Sequence, residues 1–199
     1  ATIRVPGRFN VENALAALLT VSLATGRSPE ELVPALTSLT PAKGRMRVVQ
    51  AEPYAVIVDY AHTPGAFEQA LPFFREQTPG RLIVVFGAAG ERDREKRPLL
   101  GEIADRYAHL IILADEDPRM EDGLRVLEDV ATGCPTRVHG DGLRIIRDRR
   151  EAIRTAFTLA KPGDTVLLLG KGHETSIIGP EGPQPWDEET VAREELSRI

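Results

Sequence analysis

From residue 55 onward, short apolar runs alternate with longer amphipathic segments, and this alternation constrains the fold more than any other feature of the chain. The runs are AVIV (55–58), LIVVF (82–86), LIILA (110–114), a weaker TRVHG (136–140) and TVLLLG (165–170). They are apolar without a break, which is the pattern of parallel strands covered on both faces. Helical spacing falls between them, over 64–77, 95–107, 121–131 and 148–160, and returns over 188–196. Strands alternating with helices predict an α/β doubly wound, mainly parallel sheet. The stretch GPEGPQP (179–185) reads as a loop before the last helix, and Asp148 with Glu151 has capping-box spacing.

The first 46 residues differ in character. A helix is expected over 10–24, closed by Gly26, then a short one from Pro29 to about Ser38, then LTPAKGRM (39–46) as a linker. Composition narrows the function classes. With 25 Lys plus Arg against 30 Asp plus Glu, net charge −5 and no basic tract, the balance argues against bulk nucleic-acid binding, which depends on neutralising phosphates. No apolar run approaches the ~20 residues of a membrane helix, so no membrane insertion is expected. The N-terminus lacks the layout of a secretory signal, and the single Cys134 has no partner for an internal disulfide, so a reducing, cytoplasmic setting is expected. The absence of an initial Met leads to the expectation of a piece of a longer protein.

In open parallel sheets, ligands sit beyond the carboxyl ends of the strands, where helix N-termini and loop amides converge. Four strands are followed directly by a polar cluster. After the first come Asp59, Tyr60, Ala61, His62, Thr63 and Pro64: an acid and an imidazole that suit a phosphate-linked metal or an attacking amine, or equally a helix cap with a bonded His. After the second, GAAGERDREKR (87–97) pairs small residues with charges able to clamp carboxylate or phosphate, or to form a solvated helix start. After the third, Asp115, Glu116 and Asp117 precede Pro118 and Arg119; such acids repel one another unless a cation intervenes, and an exposed acidic loop is the plain alternative. After the last, Gly170, Lys171, Gly172, His173 and Glu174 permit close backbone approach with an acid nearby. Neither the Walker A pattern nor G-x-G-x-x-G occurs. His109 and His139 read as structural imidazoles, Cys134 as inert and Trp186 as a packing residue.

Taken in order, GRFNVENALAA, KGRM, VDYAHTP, GERDREKRP, DPRMED, DRREAI and LLLGKGHE resemble the C-terminal part of a Mur ligase of the kind that adds a diamino acid to the peptidoglycan stem peptide. The resemblance covers about residues 5 to 195. It implies that residues 1–43 are the last helices and linker of a central P-loop ATPase domain, and that 44–199 form a Rossmann-like amino-acid-binding domain. The activity implied is ATP-dependent ligation of a diamino acid (lysine, ornithine or meso-diaminopimelate) to UDP-N-acetylmuramoyl-dipeptide through an acyl phosphate. Mg²⁺ would be held mostly upstream, so no metal ligand is assigned here and the chain alone is expected to be inactive. By the same resemblance, Asn10 and Asn13 would read the adenine of ATP and Arg45 would touch the nucleotide. Asp59 and His62 would serve the reacting end. Arg92 and Arg119 would hold a substrate carboxylate, and Glu116, Asp117, Gly170 and Glu174 an ammonium. Lys96 is a phosphate or carboxylate contact.

The chain departs from the family pattern where diaminopimelate-adding members read Asp-Asn-Pro-Arg and this sequence has Glu116-Asp117-Pro118-Arg119. A carboxylate in place of the amide at 117 favours a simple ammonium, hence lysine or ornithine, whereas Arg119 suits a distal carboxylate. Further departures are Ala88 and Ala89, Glu91, Gly65 and Arg47. Two other readings compete: a folylpolyglutamate- or cyanophycin-type amide ligase, and a free-standing amino-acid-binding module without catalysis.

Overall fold

The computed structural model describes residues 3, 5, 7–138 and 140–199, so His139 lies outside the described residues. The chain divides into two compact units, Ala1–Ala42 and Lys43–Ile199. In the first, α1 (Arg8–Thr25) ends where Gly26 turns left-handed and its N–H bonds Ser22 O. Ser28 caps α2 (Pro29–Leu32), with Pro29 opening the helix, and a 3₁₀ helix follows over Val33–Ser38.

The second unit is a six-stranded sheet in the order β1-β2-β6-β3-β4-β5, made of β1 (Arg47–Gln50), β2 (Ala55–Asp59), β3 (Leu82–Phe86), β4 (Leu110–Leu113), β5 (Leu143–Ile145) and β6 (Thr165–Leu169). Every pairing is parallel except that of β1 with β2. The intervening helices are α3 (Pro64–Gln77), α4 (Lys96–Tyr107), α5 (Gly123–Ala131), α6 (Arg149–Leu159) and α7 (Glu188–Leu196). This is the α/β doubly wound architecture that the alternation of segments predicts.

Alternation of side chains along each strand sends two apolar sets to opposite faces. Val56, Val58, Ile83, Val85, Ile112, Val166 and Leu168 join Ile153, Phe157 and Val191 of α6 and α7 in one core. The other face is met by α3, α4 and α5, which pack side by side; Phe67 of α3 stacks edge-on against Phe86 at 5.0 Å. Trp186 packs against the first core, as expected of a packing residue. His109 is a structural imidazole: its Nδ1 accepts from Leu82 N at 3.0 Å. Cys134 is buried, and burial pushes its thiol up to about 12, which fits inertness.

Three elements differ from expectation. Among the described residues of TRVHG (136–140) no strand forms: Arg137 instead caps the end of α4, bonding Asp105 and the carbonyls of Ala108 and His109, and the edge strand β5 forms later, at 143–145. The expected loop at 179–185 contains half of an antiparallel hairpin, β7 (Ser176–Gly179) with β8 (Gly182–Pro185), whose register closes through Gly179 and Gly182. Strand β1 is an unanticipated edge strand, too short and too exposed to carry a buried apolar run.

Candidate functional site

Strands β2, β6, β3 and β4 are neighbours, so the polar clusters that follow them stand side by side at one edge of the sheet. The order places Gly170–Glu174 between the loop of Asp59 and that of Gly87–Arg97, although these segments are far apart in sequence. The topological switch falls between β6 and β3, where a crevice opens in folds of this kind.

Backbone contacts fasten these loops. Asp59 Oδ2 accepts from Met46 N at 2.7 Å and Oδ1 from Ala61 N at 2.8 Å, tying the segment that carries Arg45 to the end of β2. Burial pushes the Asp59 carboxyl up, and these two N–H donors pull it part of the way back. Gly90 N donates to Asp117 O at 2.8 Å, and Ala89 bridges Asp117, so the loops after β3 and β4 run together. A side chain at Gly90 would collide with Pro118 O, which is why this approach needs glycine. Arg97, fully buried, holds both loops through Ala89 O (3.2 Å) and Glu121 (2.9 Å), and reaches Asp129 of α5 at 2.9 Å.

The acids after β4 differ in their surroundings. Asp115 pairs with Arg147 at 3.0 Å. Asp117 accepts at Oδ1 from both Lys171 Nζ (2.9 Å) and Ile178 N (2.8 Å). Glu116 is buried, and its carboxylate lies where a Cβ on Gly170 would be; Gly170, with φ +100°, leaves that space free. Among the described residues no hydrogen bond or ion pair reaches Glu116. Burial pushes its pKa up, and the charges of Arg149, Lys171, Lys96 and His62 act against that shift.

Around Tyr60 a second group gathers. Its ring lies 4.5 Å from that of His62 and 4.6 Å from that of His173, and the Arg45 guanidinium sits 4.7 Å above it. Tyr60 Oη donates to Glu174 Oε1 at 3.1 Å. His62 Nδ1 lies 2.8 Å from Tyr60 O, and Lys96 Nζ donates to His62 O at 3.2 Å. Thus Arg45, Asp59, His62, Lys96, Glu116, Asp117, Gly170 and Glu174 converge. Arg119 follows directly at a left-handed turn (φ +54°), with Nε buried and unpartnered among the described residues, and Arg92 is exposed on the loop before α4. Asn10 and Asn13 lie on α1 of the first unit, with Asn13 exposed.

Sequence reasoning gave no role to Lys171, Tyr60 or Arg149. The signal for Lys171 was its position between two glycines at a strand end. Arg149 opens α6 and is fully buried against Glu188, and no local pattern announces that pairing.

The family model for the Mur ligase glutamate ligase domain matches residues 44–172. The chain belongs to the Mur ligase family. It is 51% identical over its full length to the UDP-N-acetylmuramyl-tripeptide synthetase of Roseiflexus sp., of which it covers 40%. It is 44% identical to the UDP-N-acetylmuramoyl-L-alanyl-D-glutamate–2,6-diaminopimelate ligase of Synechocystis sp., with 96% of this chain and 37% of that protein aligned. A solved structure of a 2,6-diaminopimelate ligase superposes on this Mur ligase chain with TM-score 0.74 and 35% identity, over 100% of this chain and 40% of the other. A folylpolyglutamate synthase from Mycobacterium tuberculosis shares the fold at TM-score 0.68 and 17% identity, over 84% of this chain and 38% of the other. The chain thus spans about 40% of the length of these curated relatives. Among the described residues no helix is long and apolar enough to cross a membrane.

Proposed function

We propose that the chain is the amino-acid-binding end of an ATP-dependent ligase that joins a diamino acid to UDP-N-acetylmuramoyl-L-alanyl-D-glutamate. The observation that carries this reading is Glu116: a buried carboxylate without a protein donor, against a glycine that leaves it room, beyond the carboxyl ends of a parallel sheet. A buried acid of this kind is stabilised when a ligand ammonium reaches it. Relatives named as tripeptide synthetases and as a diaminopimelate ligase support the same substrate class.

In this reading the glutamyl carboxylate takes the terminal phosphate of ATP, giving an acyl phosphate and ADP. The amino nitrogen of the incoming diamino acid attacks the carbonyl carbon, the bond to the phosphate oxygen breaks, and phosphate leaves as the amine loses its proton. The chain's own residues bind and orient. Glu116 takes an ammonium of the diamino acid, with Asp117 and Glu174 beside it, and Arg92 and Arg119 take carboxylate. His62 and Lys96 face the reacting end, and Asp59 holds in place the Arg45 segment, which meets the nucleotide. Such positioning lowers the barrier by fixing the geometry of attack. Mg²⁺, when bound, would neutralise phosphate charge. Among the described residues no group of three or more His, Cys, Asp or Glu side chains stands together as a metal site.

The test is a panel of lysine, ornithine, meso-diaminopimelate and glutamate, scored by amino-acid-dependent phosphate release from the intact ligase and by thermal shift of this chain. A ligand at ten times its Kd stabilises by about 1.4 kcal/mol, which such a shift resolves. Response to one diamino acid and not to glutamate is expected. Response to glutamate alone would move the chain to the polyglutamate-forming class, and phosphate release stimulated by none of the four would overturn the reading.

A further inference from the structure

Lys171 has no place in the roles described so far, yet it is among the largest fully buried side chains of the chain. An ammonium is kept out of water only where partners replace its hydration. Here the partners are two acids of the site itself: Nζ lies 2.6 Å from Glu174 Oε2 and 2.9 Å from Asp117 Oδ1. Each acid is also held from a second direction, Glu174 by Tyr60 Oη and Asp117 by Ile178 N. Glu116, by contrast, lies in the field of Lys171 without bonding to it.

We propose that Lys171 is an internal ammonium that positions Asp117 and Glu174 as a fixed wall of the amino-acid pocket and sets the negative charge the pocket presents to a diamino acid. This deepens the proposed function and rests on it. The carboxylate at 117 therefore adds less charge to the pocket than the change from amide to acid implies, since its Oδ1 already holds a cation. The acid left for a substrate cation is Glu116. Without Lys171, Asp117 and Glu174 become two uncompensated neighbours that repel and leave their present places. Lys171 acts through these acids, as a positioning and specificity residue.

The experiment is steady-state kinetics of the intact ligase carrying Lys171→Met or Lys171→Arg. Loss of a charge-assisted contact of this kind corresponds to about 10- to 100-fold, so Lys171→Met is expected to raise KM for the diamino acid by that factor while KM for ATP stays unchanged. Lys171→Arg keeps the cation and is expected to recover most of the loss. A purely structural lysine would instead lower Tm and kcat together and leave KM alone. Should Lys171→Met fail to fold, Lys171→Gln, which keeps a donor and removes the charge, carries the same expectation. An active wild type whose neutral variant keeps its KM for the diamino acid overturns the inference by itself. A wild type that releases no phosphate in response to any diamino acid overturns the proposed function, and the inference with it.

Discussion

Arg149 and Glu116 are both buried, but the chain treats them differently. Arg149 is closed in by its own fold: Glu188 takes it at 2.7 Å, Leu169 O accepts from Nη2 at 2.7 Å, and Trp186 Nε1 donates to the same Glu188 carboxylate at 2.5 Å. Burial alone would lower the Arg149 pKa, but Glu188 reverses this and the net shift is upward. Glu116 has no such enclosure among the described residues, and its pKa is pushed up by burial. In the proposed reading, the charge that the chain pairs, Arg149, serves the fold, and the one it leaves unpaired, Glu116, takes the ligand. Both occur within one strand-end layer, so burial and charge alone do not mark a site. The discriminating quantity is whether an opposite charge of the chain itself bonds the group: Glu188 does so for Arg149, although Arg149 Nη1 has no hydrogen-bond partner among the described residues, and no such charge bonds Glu116.

The sharpest way to break this comparison is Arg149→Met, which leaves Glu188 buried and unpaired. It is expected to cost about 3–5 kcal/mol in denaturant unfolding, and a loss below about 1 kcal/mol would show the pair to be no more than a surface-type contact. Glu116→Gln should do the opposite to the fold while harming the site. The folded Glu116 pKa lies above its ordinary value near 4.5. Its contribution to stability is therefore present below that value and lost as pH rises through the folded pKa. The gap in stability between Glu116→Gln and wild type should then widen in favour of the variant as pH rises from about 4.5 through the folded pKa and stay constant above it, and a gap flat across that window would refute the shift. Diamino-acid affinity should fall about 10- to 100-fold in the variant, the range for a lost charge-assisted bond, as read by calorimetry on the intact ligase.

Glu121 offers an intermediate case. Its carboxylate is held down to about 2, first by its bonds to Arg97 and then by Glu91 N. This contribution is present above the ordinary carboxylate pKa and lost as pH falls from about 4.5 toward about 2. Glu121→Gln should therefore flatten acid unfolding over that window, as followed by circular dichroism, and an unaltered acid limb would contradict it. The smallest effect belongs to Arg125, an exposed i,i+3 partner of Glu128 at 3.5 Å. Arg125→Ala should change stability by less than ~0.5 kcal/mol, and a larger loss in thermal unfolding would show that exposed pairs weigh more here than is usual.

Much of the fold was legible because its signals are local. The apolar runs at 55–58, 82–86, 110–114 and 165–170 and the helices between them depend on neighbours within a few residues, and they formed within a residue or two of the expected bounds. Capping was legible too: Asp148 accepts from Glu151 N at 2.9 Å. The elements that escaped were β1, β5 and the hairpin of β7 and β8, all short, with few apolar residues to mark a buried face. The candidate site was legible as a set of strand-end clusters, and eight of its residues came together. Their division of labour was not legible. That Asp59 accepts two backbone N–H groups, and that Asp117 already holds a cation, depends on donors reached only through folding.

By itself the sequence determined the kind of fold, the segments that become strands and helices, and which strand ends carry polar chemistry, because periodicity and turn chemistry act over a few residues. The tertiary structure alone decided that β6 inserts between β2 and β3, bringing Gly170 against Glu116. It also decided that Lys171 bridges Asp117, 54 positions away, while Tyr60 reaches Glu174 across 114. Pairings over such separations carry no local pattern. Burial selects them by removing water and requiring each charge to find a partner or to remain without one.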